Sequence, residues 1–185
     1  MNVPADNFLP AGSASVVLIG YGNTLRSDDG AGPAVLAHLA PSFESNPHCL
    51  CLSVHQLTPE LAVELSLAGR VIFVDASAQV PEGKARIRRI SDQAPGGGVS
   101  GNSSQSSLFH TCSPEGLLAL TRSAFGRAPQ AWAVAIGVAD LSVGEGLSAA
   151  VARCTRRLAR HLAPHVRRWS ASTSNPSLKG VYVYA

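Results

Sequence analysis

The chain has 185 residues, which is typical of one domain that buries its own hydrophobic core. Apolar residues make up 45% and charged residues 15%, an ordinary globular balance, and the formal charge of +3 is too small to indicate nucleic-acid binding by itself. No apolar run is long enough to span a membrane, and no basic residue precedes Arg26, so neither a membrane anchor nor a secretory signal is expected. We therefore expect a cytoplasmic protein.

Two features of the composition have a plain structural interpretation. The four cysteines, at positions 49, 51, 112 and 154, show neither C-x-x-C pairing nor zinc-site spacing, so we expect free buried thiols in a reducing cytosol. Arginines gather between positions 153 and 168, and Arg153, Arg157 and Arg160 share one face of a helix. A solvated surface is the favoured interpretation, and a basic adaptor surface is a distant alternative.

Hydrophobic periodicity and turn residues predict the elements in chain order. Residues 1–14 are expected to form a flexible leader, residues 15–168 one α/β domain and residues 169–185 a C-terminal tail. Strands are predicted at 16–20, 49–54, 71–74, 85–90 and 132–138, and helices at 32–43, 58–69, 113–126 and 148–162, the last ending before Pro164. The Gly- and Ser-rich segment 94–107 is predicted to be a mobile loop, and the apolar tail at 181–184 has no predicted place in the fold.

The order of these elements predicts the fold class. A continuous apolar run such as 71–74 is typical of a strand buried on both faces in a parallel sheet, whereas the basic strand 85–90 suits a sheet edge. Helices alternate with most of the strands along the chain. The sequence therefore predicts a single α/β domain whose open, twisted, mostly parallel sheet has about five to six strands and helices on both faces.

The most informative segment is the glycine-rich turn 20–32, GYGNTLRSDDGAG, between the first strand and the first helix. In this context such a turn usually indicates a dinucleotide site, where glycines let the backbone approach a pyrophosphate. Here Leu25 replaces the third glycine of that fingerprint, and the adjacent carboxylates of Asp28 and Asp29 would repel a phosphate. The turn is therefore predicted to suit a metal cation, and a nucleotide-binding enzyme is the disfavoured alternative.

Further candidate ligands are predicted at the same edge of the sheet. Asp75 ends the third strand and His110 precedes a helix start, and ligands of open α/β sheets bind beyond the carboxyl ends of the strands. Two carboxylates and one imidazole suit Ni, Zn, Fe or Mn. Taken singly, Asp75 could cap a turn, His110 could be a surface histidine, and either Asp of the turn could stabilise a helix N-terminus. Their joint placement favours a metal site.

The turn 20–32 resembles the N-terminal signature of the maturation endopeptidases of nickel–iron hydrogenases. The segment 71–76, VIFVDA, resembles the second landmark of that family and His110 resembles the third, and the resemblance extends over about residues 15–162. It implies an endopeptidase that removes a C-terminal extension from the hydrogenase large subunit after nickel has been inserted. The partner is then the large-subunit precursor, not a nucleic acid or a membrane, and nickel is carried by this precursor rather than held by the free enzyme.

The resemblance also implies roles for individual residues. By motif, the catalytic and metal-contacting residues are Asp29, Asp75 and His110. The expected substrate contacts are Asn23, Asp28 and His55. The segment 54–61 departs from the usual family pattern and is similar to the branch that serves cytosolic, NAD-linked hydrogenases. Ala139 and Asp140 stand where the family usually has Glu-Pro.

No familiar protease motif accompanies these residues. There is neither a G-x-S-x-G elbow nor an H-E-x-x-H pair, and Cys112 lies two residues from His110 without a group that would orient a base. Three mechanisms of cleavage fit the sequence equally: a metal ion that polarises the carbonyl, a metal-bound water, or an aspartate that acts as general base. A non-catalytic metallochaperone or assembly factor for the same metal site is the alternative function. A monomer is sufficient for either.

Overall fold

A computed structural model of the chain describes residues 16–92 and 112–171, together with the backbone of residues 181–183. Within these ranges six strands form one sheet and four α-helices pack against it. The strands are β1 (Val16–Tyr21), β2 (Cys49–Val54), β3 (Arg70–Ser77), β4 (Ala85–Ile90), β5 (Gln130–Gly137) and β6 (Val181–Val183). The helices are α1 (Ala31–Leu39), α2 (Ala62–Leu67), α3 (Pro114–Phe125) and α4 (Ala149–Ser170), with 3-10 turns at Ser27–Gly30, Ala40–Ser42 and Pro59–Leu61.

The strand order places β1 and β3 side by side near the middle of the sheet. The order is β4-β5-β3-β1-β2-β6, and all neighbours are parallel except the antiparallel edge strand β4. Gly20 of β1 is in register with Val74 of β3, so the residues that follow them, Tyr21 and Asp75, reach the same edge. The predicted fold class, an open and mostly parallel α/β sheet, is confirmed, as is the position of the basic strand β4 at an edge.

The alternation of side chains along β1 divides the hydrophobic core into two layers. Val16 and Leu18 pack with α1 and α4, whereas Val17 and Ile19 pack with α2 and α3. All four side chains are fully buried, as expected for a parallel strand that is covered on both faces. Helices therefore cover both faces of the sheet. None of the helices within the described ranges is long and apolar enough to cross a membrane.

Helix α4 is where the structure departs most from the sequence prediction, because it continues through Pro164 and ends only at Ser170. A proline inside a helix removes a backbone hydrogen bond and costs about 3 kcal/mol. Tertiary packing offsets this cost. Beyond the proline, Val166 is fully buried, and the Trp169 ring stacks on Trp132 with 4.7 Å between centroids.

The ends of α3 confirm the cap residues predicted from the sequence. The Ser113 hydroxyl accepts a hydrogen bond from the backbone N–H of Gly116 at 3.0 Å, and Gly126 ends the helix in the left-handed region with a φ of +72°. Thr58 behaves differently, because its side chain makes no capping hydrogen bond and a 3-10 turn follows it before α2 begins.

Three predicted segments lie partly or wholly outside the described residues. These are the leader (1–14), the mobile loop (94–107) and the tail (169–185). Within the tail, α4 continues to residue 170 and the backbone of residues 181–183 forms β6, which pairs in parallel with β2. Part of the segment predicted as a separate tail therefore belongs to the sheet.

Candidate active site

Glycines fold the turn after β1 tightly against its own backbone. Gly22 has a φ of +138°, which L side chains rarely adopt, and a Cβ there would lie 2.0 Å from the carbonyl oxygen of Asp29. Gly32 allows α1 to approach the sheet, since its Cβ would lie 2.4 Å from the carbonyl oxygen of Val74. These two glycines therefore serve close backbone packing, which brings Asp29 back over the end of β1.

The carboxylate of Asp29 is oriented by the turn itself. Its Oδ2 accepts a hydrogen bond from the backbone N–H of Asn23 at 2.8 Å. The Asn23 side chain in turn accepts a hydrogen bond from the backbone N–H of Leu25 at 2.9 Å, as expected for an Asx turn. The tip of the turn thus positions Asp29 through the backbone of Asn23.

Asp75 lies beside Asp29 at the same edge of the sheet. The strand β3 continues past Asp75, which is in register with Ala135 of β5, so Asp75 does not end the strand as the sequence suggested. Its Oδ1 accepts a hydrogen bond from the backbone N–H of Ala76 at 2.8 Å, and the Tyr21 hydroxyl donates a second one. Burial raises the pKa of Asp75 to about 6 despite these two hydrogen bonds, which lower it, and the charge of Asp29 adds to the increase.

Tyr21 serves this pair as a hydrogen-bond donor. Burial raises the pKa of Tyr21 far above its ordinary value, and the charge of Asp75 raises it further, so the phenol stays protonated. Asp29 and Asp75 are therefore two neighbouring acids in a partly desolvated place, and a cation would relieve their repulsion. Residues 16–92 and 112–171 contain no group of three His, Cys, Asp or Glu side chains that could hold a metal ion. His110 lies outside these ranges, so its part in the site stays a prediction.

Asp28 directly precedes Asp29 in the chain, but it is fully buried, whereas Asp29 is partly exposed. The Oδ1 of Asp28 accepts a hydrogen bond from the backbone N–H of Ser148 at 2.7 Å. The backbone N–H of Asp140 donates to Oδ2 at 3.4 Å. Because Ser148 caps the N-terminus of α4, Asp28 connects the turn to that helix. This geometry favours a supporting role for Asp28 over the substrate contact that the sequence suggested.

The segment 140–148, which sequence reasoning did not assign to the site, supports the turn from the other side. The backbone N–H of Ser27 donates to the carbonyl oxygen of Gly144 at 2.7 Å, and the Ser27 hydroxyl donates to Asp140 at 3.1 Å. Hydrogen bonds from Ser142, and then the one from Ser27, lower the pKa of Asp140. These contacts hold Ser27 at a φ of +48°, which costs a residue other than glycine about 1 kcal/mol. The unusual Ala-Asp pair at 139–140 was the one sequence signal for this support.

A groove of about 940 Å³ opens beside the turn. Its walls come from the tip of the turn, the end of β2 and the start of α2. Asn23 and the exposed His55, both predicted to contact substrate, line it together with the apolar side chain of Leu25, which is 57% exposed. Asp75 instead lines a smaller cavity of about 230 Å³, which Tyr21 also lines. The groove and the cavity thus flank adjacent residues at the end of β1.

Cys112 is disfavoured as a nucleophile by its surroundings. Burial raises the pKa of its thiol and the charge of Glu60 raises it further, which lowers the thiolate fraction. The other cysteines, Cys49, Cys51 and Cys154, are buried in the layer of α1 and α4, and all four are free thiols, as predicted.

Comparisons with known proteins identify the fold. No family model matches the sequence, and no curated protein matches it significantly. Among solved structures, the chain is similar to a NiFe hydrogenase maturation protease, HycI, from Thermococcus kodakarensis KOD1. The identity is 19%, the TM-score is 0.65, and the match covers 85% of this chain and 95% of the other.

Two further structures agree with this result. The hydrogenase maturating endopeptidase HybD from E. coli matches at 19% identity with a TM-score of 0.63, over 83% of this chain and 93% of the other. A hydrogenase 2 maturation peptidase from a Thaumarchaeota archaeon matches at 19% identity with a TM-score of 0.57, over 82% and 97%. The chain therefore has the fold that these hydrogenase maturation proteases share.

Proposed function

We propose that the protein is an endopeptidase that removes the C-terminal extension from the large subunit of a nickel–iron hydrogenase after nickel has been inserted. The observation that carries this proposal is the pair of neighbouring acids, Asp29 and Asp75, at the carboxyl edge of the two central strands. Ligand sites of open α/β sheets lie at this edge. The fold, shared with hydrogenase maturation proteases, and the signature in the turn support the same function.

Nickel belongs to the substrate in this proposal and serves as the recognition element. Asp29 and Asp75 repel each other in a partly desolvated site, so a substrate that brings a divalent cation gains more binding free energy than one without it. Carboxylate oxygens and an imidazole suit nickel, and His110 is the proposed third contact. A precursor without nickel would leave the two carboxylates uncompensated, which explains why cleavage would follow metal insertion.

The groove beside the turn is the proposed place for the peptide to be cut. Its volume of about 940 Å³ is sufficient for several residues of an extended chain, and it offers both apolar surface and polar groups. Leu25 is exposed there and would pack against an apolar side chain. Asn23 and His55 would hydrogen-bond to the peptide. The groove begins at Gly22, which is next to Tyr21 and therefore next to the acid pair.

Peptide hydrolysis needs a base for the attacking water and an acid for the leaving amine. Burial raises the pKa of Asp75 to about 6 in the free protein. A nickel ion beside it would lower that pKa, so Asp75 would meet the substrate as a carboxylate, which can take a proton from the attacking water and pass it to the leaving amine. Hydrogen bonds from the Tyr21 hydroxyl and the Ala76 backbone N–H hold its carboxyl group in place. We place the reaction in the cytoplasm, and the four free cysteines support a reducing compartment.

The test is to incubate the protein with the large-subunit precursor, with and without nickel, and to weigh the products by intact-mass spectrometry. We expect the loss of one C-terminal peptide from the nickel-loaded precursor alone. Stable binding to that precursor without any loss of mass would contradict the endopeptidase and favour a non-catalytic assembly factor. Equal cleavage of both precursors would show that nickel is not needed for recognition of the substrate.

A further inference from the structure

Six arginines lie on the outer face of α4, four of them between positions 153 and 160 and two at 167 and 168. We call them the arginine stripe: Arg153, Arg156, Arg157, Arg160, Arg167 and Arg168. All six are exposed. At about 100° and 1.5 Å per residue, they fall within an arc of about 120° and extend over about 22 Å of the helix.

The stripe makes the charge distribution of the chain strongly uneven. Helix α4 contains six of the fifteen basic residues and none of the twelve acidic ones. The rest of the chain therefore has a net charge of −3, although the whole chain has +3. Like charges lie four residues apart on the stripe, as in Arg153 and Arg157, and such pairs destabilise a helix slightly. Arg167 and Arg168 lie in the last turn, where a positive charge suits the helix dipole, but helix stability does not explain the four arginines at 153–160.

No acidic residue of the described ranges forms an ion pair with the stripe. Eleven of the twelve acidic residues lie in the described ranges, the exception being Asp6. The ion pairs found there join Arg88 to Glu115 and Arg122 to Asp92, and neither pair includes a stripe residue. Within the described ranges Arg157 donates a hydrogen bond to the carbonyl oxygen of Gly83 at 3.3 Å, but the guanidinium charges of the stripe have no carboxylate partner there.

The stripe begins five residues after Ser148, the cap of α4. The N–H of Ser148 donates to the buried carboxylate of Asp28. One turn further along, Arg153 and Arg157 line a cavity of about 240 Å³ together with Lys84 and a single acid, Glu82. The stripe therefore begins on a helix whose cap is hydrogen-bonded to the turn that carries Asp29.

We propose that the arginine stripe docks an acidic surface of the large-subunit precursor, as a second contact away from the bond that is cut. This inference rests on the proposed function, which supplies a protein as the partner. Guanidinium groups bind carboxylates through paired hydrogen bonds, so aspartates and glutamates are the matching chemistry. A single-stranded nucleic acid is disfavoured because no Phe, Tyr or Trp shares the arc, and Trp169 stacks instead on Trp132.

Exposed charges of this kind act mainly on association. Each exposed ion pair contributes about 0.2–1 kcal/mol, and a cluster of like charges raises the association rate at low ionic strength. The stripe should therefore affect KM and its salt dependence, while kcat depends on the acid pair. This separation of KM from kcat distinguishes docking from a structural role.

The test compares Arg156→Gln/Arg160→Gln with two controls, Arg156→Lys/Arg160→Lys and Arg89→Gln. Glutamine preserves helix propensity, lysine keeps the charge, and Arg89 is an exposed arginine on β4. Cleavage of the nickel-loaded precursor is followed by intact mass, and binding by biolayer interferometry at 50 and 300 mM salt. We expect the Gln pair to raise KM about 3- to 10-fold at low salt with unchanged kcat and thermal midpoint. The Lys pair, which keeps the charge but not the paired hydrogen bonds, should raise KM less, and Arg89→Gln should stay near the wild type.

Each other outcome has a definite meaning. An unchanged KM for the Gln pair, or an equal loss in Arg89→Gln, overturns the docking surface while the proposed function stands. Stripe-dependent binding of the precursor without cleavage by the wild type supports docking and contradicts the endopeptidase. If the Gln pair weakens binding of a fluorescent RNA but not binding of the precursor, the partner of the stripe is a nucleic acid and the proposed docking surface is wrong. No binding of the precursor by the wild type overturns the inference.

Discussion

Asp28 and Asp29 are adjacent in the chain, but their carboxylates lie in opposite environments. Asp28 is fully buried, and backbone N–H groups of Ser148 and Asp140 donate to its two oxygens. Asp29 receives one backbone hydrogen bond and lies near a second acid, Asp75, whose pKa is raised to about 6. A buried acid with satisfied oxygens stabilises the fold, whereas an acid whose pKa is raised, first by burial and then by a neighbouring carboxylate, is typical of a functional site.

This contrast separates the residues that hold the site from those that would act in it. Asp28, Ser27 and the segment 140–148 fix the turn, and the turn presents Asp29 to Asp75. Substitutions of the supporting residues should lower the stability of the fold, and substitutions of Asp29 or Asp75 should lower activity. Three predictions test whether the two effects separate.

The largest expected effect is on cleavage by variants of the acid pair. Asp29→Asn or Asp75→Asn should reduce the rate of precursor processing about a thousand-fold or more, because the neutral amide binds a cation weakly and accepts no proton. The measurement is the appearance of the shortened subunit by intact mass, with circular dichroism as the control for folding. If both variants cleaved the precursor at the wild-type rate, Asp29 and Asp75 would not be active-site residues.

The second effect is on stability. Asp28→Ala should lower the free energy of unfolding by about 2–4 kcal/mol, since the N–H groups of Ser148 and Asp140 would lose their buried acceptor. Urea denaturation measures the change. Asp28→Asn keeps one acceptor oxygen and should lose less. If Asp28→Ala unfolded at the wild-type midpoint and abolished cleavage, Asp28 would belong with the residues that act on the substrate.

The smallest effect is a stabilising one, on Asp75. The pKa of Asp75 is 3.8 in the unfolded chain and about 6 in the folded protein, so the folded protein binds this proton more tightly. As the pH rises from about 4 to about 6, the free energy of unfolding therefore falls. Asp75→Asn removes the cost. We expect it to raise the free energy of unfolding by about 1–2 kcal/mol at pH 8, less than the full shift implies because the carboxyl is only partly buried, and by much less at pH 4.

Urea denaturation of the wild type and Asp75→Asn at both pH values provides the measurement. Asp29→Asn is the matched control, since it removes a charge from the same pair but keeps the burial of Asp75. A variant that is less stable than the wild type at pH 8 would show that the Asp75 carboxylate supports the fold instead of straining it.

Local chemistry accounts for what could be predicted along the chain. The strand β2 has the predicted bounds because its apolar run ends at turn residues, and the caps of α3 are set by hydrogen bonds within a few residues. The continuation of α4 past Pro164 could not be predicted in this way. It depends on Val166 and Trp169, whose packing partners are distant in sequence.

By itself, the sequence determined the α/β class, the tight turn and the acids Asp29 and Asp75 as candidates, because periodicity, glycine positions and residue chemistry act over short distances. Only the tertiary structure decided that the carboxylate of Asp28 is buried against Ser148, while that of Asp29 is close enough to Asp75 to raise its pKa. It also decided that residues 181–183 add a strand to the sheet, and that the arginine stripe has no acidic partner within the described ranges. The direction of a side chain and its burial are set by contacts between segments far apart in the chain, which a local pattern does not contain.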